Sequence, residues 1–143
     1  METDLVQIVT GWDYDPKDFS KNVRQIRGID GQGKIQMRTE LGLSQMELEG
    51  RPDGKRPSGF PSALNRVHLR VEGHRKRGLP PESFRLDSTD VEKLRLESLQ
   101  YHLRGTCLLS LGNHAEAIRD IEHNIAIVKP LSIHASDERT QTH

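Results

Sequence analysis

The chain has 143 residues, in which 21 Lys plus Arg balance 21 Asp plus Glu, so a whole-chain role as polycation or polyanion is excluded. Only 33% of it is hydrophobic and 4% aromatic against 29% charged, at a mean hydropathy of −0.70, which excludes a large core and leads us to expect a disordered part, a partner, or both. The lone cysteine, Cys107, excludes a disulfide framework and a Cys-rich zinc site, and it fits a reducing interior. With no basic-then-apolar leader and no apolar run of membrane-spanning length, the expectation is a soluble cytoplasmic protein without membrane contact.

In chain order, residues 1 to about 20 are acidic, with Asp13, Asp15 and Asp18 around Trp12. Leu5, Ile8, Val9 and Trp12 have the spacing of a short amphipathic helix, which either buries Trp12 against the neighbouring segment or docks a partner. Next comes "GIDGQGK", residues 28–34, with the outline of a phosphate-binding loop. Such a loop follows a buried strand, opens a helix, and carries Ser or Thr after its Lys. Here Ile35 follows Lys34, and Lys34 to Leu41 alternates apolar and polar as a half-buried strand does. Together with Asn22 to Arg27 and the Asp30-Gly31 turn, this predicts a β-hairpin. Past Gly42, the alternation of Met46, Leu48 and Gly50 with Glu47 and Glu49 predicts a third strand and a small meander. A single helix over residues 34–49 is the competing reading, since Met, Gln, Glu and Leu all favour helix.

"RPDGKRPSGFP", residues 51–61, is a loop by its prolines and glycines. It is either a rigid turn or an anion-binding element built on Arg51, Lys55 and Arg56. From Ser62 to about Arg75 a helix is predicted, with Leu64, Val67 and Val71 on one face and Arg66 and Arg70 on the other. Residues 51–77 hold eight Lys or Arg against Asp53 and Glu72, so a nucleic-acid contact competes with a solvated basic face; Phe60 is the one aromatic there able to stack on a base. Gly78-Leu79-Pro80-Pro81 reads as a linker. Thr89 to Glu92 then has the form of a capping box that opens a helix through Leu108, and Gly112-Asn113 ends that helix. A second helix is expected from His114 to about Val128, with Ala117, Ile121, Ile125 and Val128 inward, closed by Pro130.

These two helices carry a family pattern. "YHLRGTCLLSLGNHAEAIRDIEHNIAIVKP", residues 101–130, resembles a single tetratricopeptide repeat: Tyr101 at its first aromatic, Gly105 at the close helix contact, Leu108 at an apolar contact, Gly112 at the turn, Ala117 and Ile121 on the second helix. Arg104 stands where the family has leucine, Asn124 where it has alanine, and Pro130 falls one residue late. "HAEAIRDIEHNIAI" is also similar to the helical hairpin motif of the excision-repair proteins UvrB and UvrC, and "QMELEGRPDGKRPSG" ahead of a helical pair looks like a group of uncharacterised bacterial proteins. The repeat resemblance implies protein binding through the first helix, at Leu99, His102, Thr106, Leu109 and Ser110. The family's peptide-carboxylate clamp needs Lys and Asn there, which this chain does not offer. One repeat cannot bury its own face, so either the helix at 62–75 or another copy completes the packing.

No His-Glu-x-x-His, Cys pair or Gly-x-Ser-x-Gly occurs, and His102 and Cys107, five apart on one helix, point away from each other. The expectation is therefore an α+β protein that is not an enzyme and uses no cofactor or metal. Residues 1–59 hold an antiparallel β meander and the basic loop, 60–130 a helix and a repeat-like hairpin at 89–129, and 131–143 a frayed tail. The expected partner is a protein or a second copy of the chain, with nucleic acid at residues 51–77 as the rival.

Overall fold

The structure, a computed structural model, describes residues 9–135. Leu5 and Ile8 of the expected N-terminal helix, and residues 136–143 of the expected tail, lie outside the described residues.

The segments around the two turns pair as an antiparallel sheet of three strands, β1 (Val23–Arg27), β2 (Gly33–Arg38) and β3 (Leu43–Glu47), in the order β1-β2-β3. The meander thus stands and the single helix over 34–49 does not. Gly31 takes φ of 81° in the first turn, a conformation that a side chain disfavours, while Asp30 Oδ1 accepts from the Gln32 N–H at 2.9 Å. The third strand starts at Leu43 rather than near Met46, because Ser44 and Gln45 pair with Met37 and Gln36 although they carry no apolar signal.

This register puts Val23, Ile35, Met37 and Met46 into one cluster. The other face carries a polar row, in which Arg24 Nε donates to Gln36 Oε1 at 2.7 Å and Gln36 Nε2 to Gln45 Oε1 at 2.8 Å. Lys34 belongs to this face. Its ammonium donates to Asp30 at 2.8 Å and to Glu47 at 2.6 Å, bonds that push its pKa up, so the lysine of "GIDGQGK" holds its own hairpin together. Trp12 is half-buried over the same sheet: Arg24 lies 4.0 Å from the ring centroid, the indole N–H donates to Lys21 O, and Arg38 donates to Trp12 O.

Three helices come next, α1 (Ala63–Lys76), α2 (Ser88–Ser110) and α3 (His114–His134). Two sequence expectations are corrected at their ends. The residue that caps α2 is Asp87, not Thr89: its carboxylate accepts from the Asp90 N–H at 2.8 Å, and the Asp90 carboxylate accepts from the Asp87 N–H. Aspartate caps as well as Ser or Thr, and the helix therefore starts two residues earlier than the Thr89 box implies. Pro130 does not close α3, and Leu131 to His134 are helical rather than a frayed tail. The turn after the proline is held by burial and bonding: Pro130 and His134 are buried, Leu131 packs on the core, and the His134 carbonyl accepts from the Leu86 N–H at 2.8 Å. Those contacts offset the one hydrogen bond that proline removes.

The predicted linker leads into a strap. After Pro81–Ser83, Phe84 and Leu86 turn inward between α1 and α3, with Phe84 edge-on to both His74 and His134. Two apolar clusters result. One joins Ala63, Leu64 and Val67 of α1 to Val91 and Leu94 of α2, Ile127 of α3 and the strap. The other joins the inner sheet face to Cys107, Leu108 and Ala117. The α2–α3 pair thus forms one layer, and the sheet and α1 lie side by side beneath it.

Cys107 has no exposed surface, and burial pushes its thiol up to about 11. The native chain at mildly alkaline pH is therefore expected to resist a thiol-specific disulfide reagent that titrates the urea-unfolded chain completely; prompt reaction of the native chain would contradict this packing.

Candidate functional site

The turn Leu111–Asn113, with Gly112 at φ of 79°, folds α3 back along α2. A Cβ at Gly105 would stand 3.5 Å from Asp120 Cβ, an ordinary van der Waals contact, so the helices meet closely here but alanine would also fit. The hairpin has two faces with different chemistry.

The inner face carries a charged seam. Arg104 and Asp120, 1% and 0% exposed, pair through two bonds of 2.8 Å, and Arg104 Nη1 also donates to the carbonyls of Glu47 at 2.9 Å and Gly50 at 2.6 Å. Arg119 extends the tie to Glu49 and the Leu48 carbonyl. Nearer the start of α2, the fully buried Glu97 receives the Ala63 N–H at 2.7 Å and the Leu64 N–H at 3.1 Å, two of the free amides at the start of α1; Ser62 Oγ accepts the next one, from Asn65. Arg51 Nε stands 3.3 Å and His123 Nε2 2.9 Å from the same carboxylate. Burial alone would raise the pKa of Glu97; the bonds from His123, Ala63 and Leu64 outweigh it and hold the carboxyl below the ordinary value of 4.5. Tyr101 stacks on His123 at 3.7 Å and lies under Arg104, joining the two charged clusters.

The outer face is apolar where a two-layer protein is expected to be polar. A groove of about 370 Å³ runs between the helices, walled by Tyr101, His102, Thr106 and Leu109 of α2 and by Ile121, Ile125 and Val128 of α3. Asn124 also lines it, and its Oδ1 is buried without a hydrogen-bond partner. Leu99, Leu109, Ile118, Ile121, Ile125 and Val128 are between 43% and 66% exposed. This corrects the expected inner face of α3. Ala117 does point inward, but its buried companions are Asp120, Ile127 and Pro130, while Ile121, Ile125 and Val128 face out. The more apolar stripe was the outer one; the inner stripe is masked in the sequence by Asp120, whose charge is matched by Arg104 across the hairpin.

Of the residues expected to contact a partner, His102, Thr106 and Leu109 line the groove, Leu99 lies exposed on the same helix, and Ser110 is half-buried in the last turn of α2. The expected anion set does not stay together. Arg51 is turned inward to Glu97 and Asp53, while Lys55 and Arg56 remain on the surface of the loop. Of the eight basic residues in 51–77, Arg66 and Arg70 pair with Asp90, and Arg75 pairs with Glu72. Among the described residues no three of His, Cys, Asp and Glu are grouped to hold a metal ion, and no helix is long and apolar enough to cross a membrane. Compared with known proteins, the chain matches no family model, no curated protein and no solved structure.

Proposed function

We propose that this chain is a non-enzymatic protein-contact module of the cytoplasm, whose α2–α3 hairpin, similar to one tetratricopeptide repeat, receives an apolar helix in its outer groove. The observation that supports this reading is the exposure of six aliphatic side chains on one face of the hairpin. Isolated exposed aliphatics are ordinary on a protein surface, but a contiguous apolar patch beside a groove marks a contact site. The groove is open and its walls are mainly apolar, which suits the ridge of a helix better than a small polar substrate. The buried thiol fits a reducing compartment.

The rival, nucleic-acid contact through residues 51–77, is left with Lys55 and Arg56 at one end of α1 and Lys76 and Arg77 at the other, because the remaining four cations lie against carboxylates. Phosphate contacts would make such binding fall steeply with salt.

The test uses the purified full chain and the variant Ile121→Lys/Ile125→Lys. The wild type is expected either to sediment heavier than its 16.3 kDa or, as a monomer, to enhance the emission of anilinonaphthalene sulfonate, and the variant to do neither with its circular dichroism unchanged. A wild-type monomer that ignores the dye would overturn the reading. Salt-sensitive retention of a labelled oligonucleotide would move the function to the basic segment.

A further inference from the structure

We infer that the occupant of the outer groove is a second copy of this chain, so that two hairpins cover each other about a two-fold axis. The inference rests on the contact reading above and names its partner.

The first support is the spacing of the exposed residues on α3. Ile118, Ile121, Ile125 and Val128 are separated by three, four and three positions, the 3.5-residue repeat with which one helix packs along another. All four are β-branched and stiff at χ1, so ordering them in an interface costs little side-chain entropy. Ile127 and Ala117, which belong to the other stripe of the helix, are buried on the inner face, so the ladder is distinct from the one that holds the fold together.

The second support is that ridge and groove lie side by side on one surface. The Ile121, Ile125 and Val128 side chains are both the crest of α3 and one wall of the groove whose other wall is Tyr101, His102 and Leu109. A patch that carries a ridge beside its own complement satisfies the condition for an isologous interface, in which each copy gives the ridge and receives it.

The third is area. At about 100 Å² of exposed apolar surface apiece, the six aliphatic side chains offer roughly 600 Å² per copy, and two copies facing each other hide about 1,200 Å², the lower end of stable specific interfaces. Charge does not oppose the pairing, since a chain of net charge zero carries no overall repulsion against its copy. Among the described residues no element competes for the face either: α1, the internal candidate to complete the packing, has Ala63, Leu64 and Val67 in the core with Leu94 and Ile127 on the opposite side of the hairpin.

Sedimentation equilibrium of the full chain at low and high salt tests the inference. The expected result is twice the 16.3 kDa mass, retained at high salt because the contact is apolar. Ile125→Lys is expected to weaken association about 100-fold or more, since the two-fold axis sets two lysines against apolar walls. Leu69→Lys, at an exposed leucine on α1, serves as the control and leaves the mass doubled. Circular dichroism and the urea midpoint of the Ile125→Lys monomer show whether it is folded, and a second variant, Val128→Gln, repeats the test with a milder change. A monomer at the highest soluble concentration that still binds the apolar dye would remove the second copy while leaving the contact reading in place. A doubled mass that survives both Ile125→Lys and Val128→Gln would also overturn it, whatever the effect of Leu69→Lys.

Discussion

Replacement of Arg104 by methionine is expected to lower folding stability by about 3–5 kcal/mol, read as a shift in the urea midpoint followed by far-ultraviolet circular dichroism. Arg104 and Asp120 have essentially no exposed surface, and the guanidinium is the group that makes burial of Asp120 tolerable. Without it, Asp120 keeps only Arg119, whose Nε stands 3.4 Å away on a side chain that is itself more than a third exposed. The carbonyls of Glu47 and Gly50 lose their shared donor in the same step, so the variant also loosens the end of β3 from the hairpin. The double variant Arg104→Met/Asp120→Leu is expected to recover much of the loss, because a buried ion pair replaced by apolar groups of similar volume is often nearly neutral. If Arg104→Met alone proved neutral, Asp120 would have to reach solvent or take up a proton, and the tight seam would not describe the protein.

The same pair shows where the sequence stops informing. The β-hairpin was readable from local rules: the Asp-Gly turn and a period of two after it, with Gly42 counting against the competing helix over 34–49. The α1 start, the Gly112 break and the inward set of α1 were readable for similar reasons, as caps, breakers and one apolar stripe are all short-range features. The faces of α3 were not. It has two candidate stripes, and the rule that the more apolar stripe faces inward chose Ile121, Ile125 and Val128, which the structure leaves exposed. Ala117, Asp120 and Ile127 form the inner stripe because Arg104, 16 residues away, neutralises Asp120. Arg104 was visible as a departure from the repeat pattern at a leucine position, and a charge of opposite sign at an inward position on the next helix was the signal that would have found its partner. Glu97 gave no such hint, since its ligands, Ala63, Leu64, Arg51 and His123, come from three separate segments. Of the contact surface, the α2 wall was named from the sequence, while the α3 wall was assigned to the core.

Glu97→Ala is the second large effect, a loss of about 3–5 kcal/mol that should be accompanied by fraying at the start of α1. A fully buried carboxylate here takes the place of a helix cap supplied from another helix: it accepts from the first two amides of α1 and faces Arg51 and His123. Its removal leaves two buried N–H groups without their acceptor and a nearly buried guanidinium without its nearer ion-pair partner, so hydrogen exchange at Ala63 and Leu64 should rise more than at Asp87 and Asp90, whose amides the capping box of α2 still holds. Glu97→Gln keeps an acceptor but not the charge, and should fall between Ala and wild type. The pH dependence has its origin in the same geometry. The Glu97 carboxyl sits below its ordinary 4.5, and Asp90 below 3.8, where burial would raise it but the bond from Arg70 and those from Asp87 and Arg66 prevail. A carboxyl whose folded pKa is depressed contributes stability that is present above its unfolded pKa and is lost as the pH falls through the folded one. The wild-type urea midpoint should therefore hold from neutral pH to about 4.5 and then drop, and the drop should be shallower in Glu97→Gln, which has no proton to take up. Parallel acid profiles for the two proteins would show that Glu97 is not ionised in the fold, and its hold on α1 would then have to come from a neutral carboxyl.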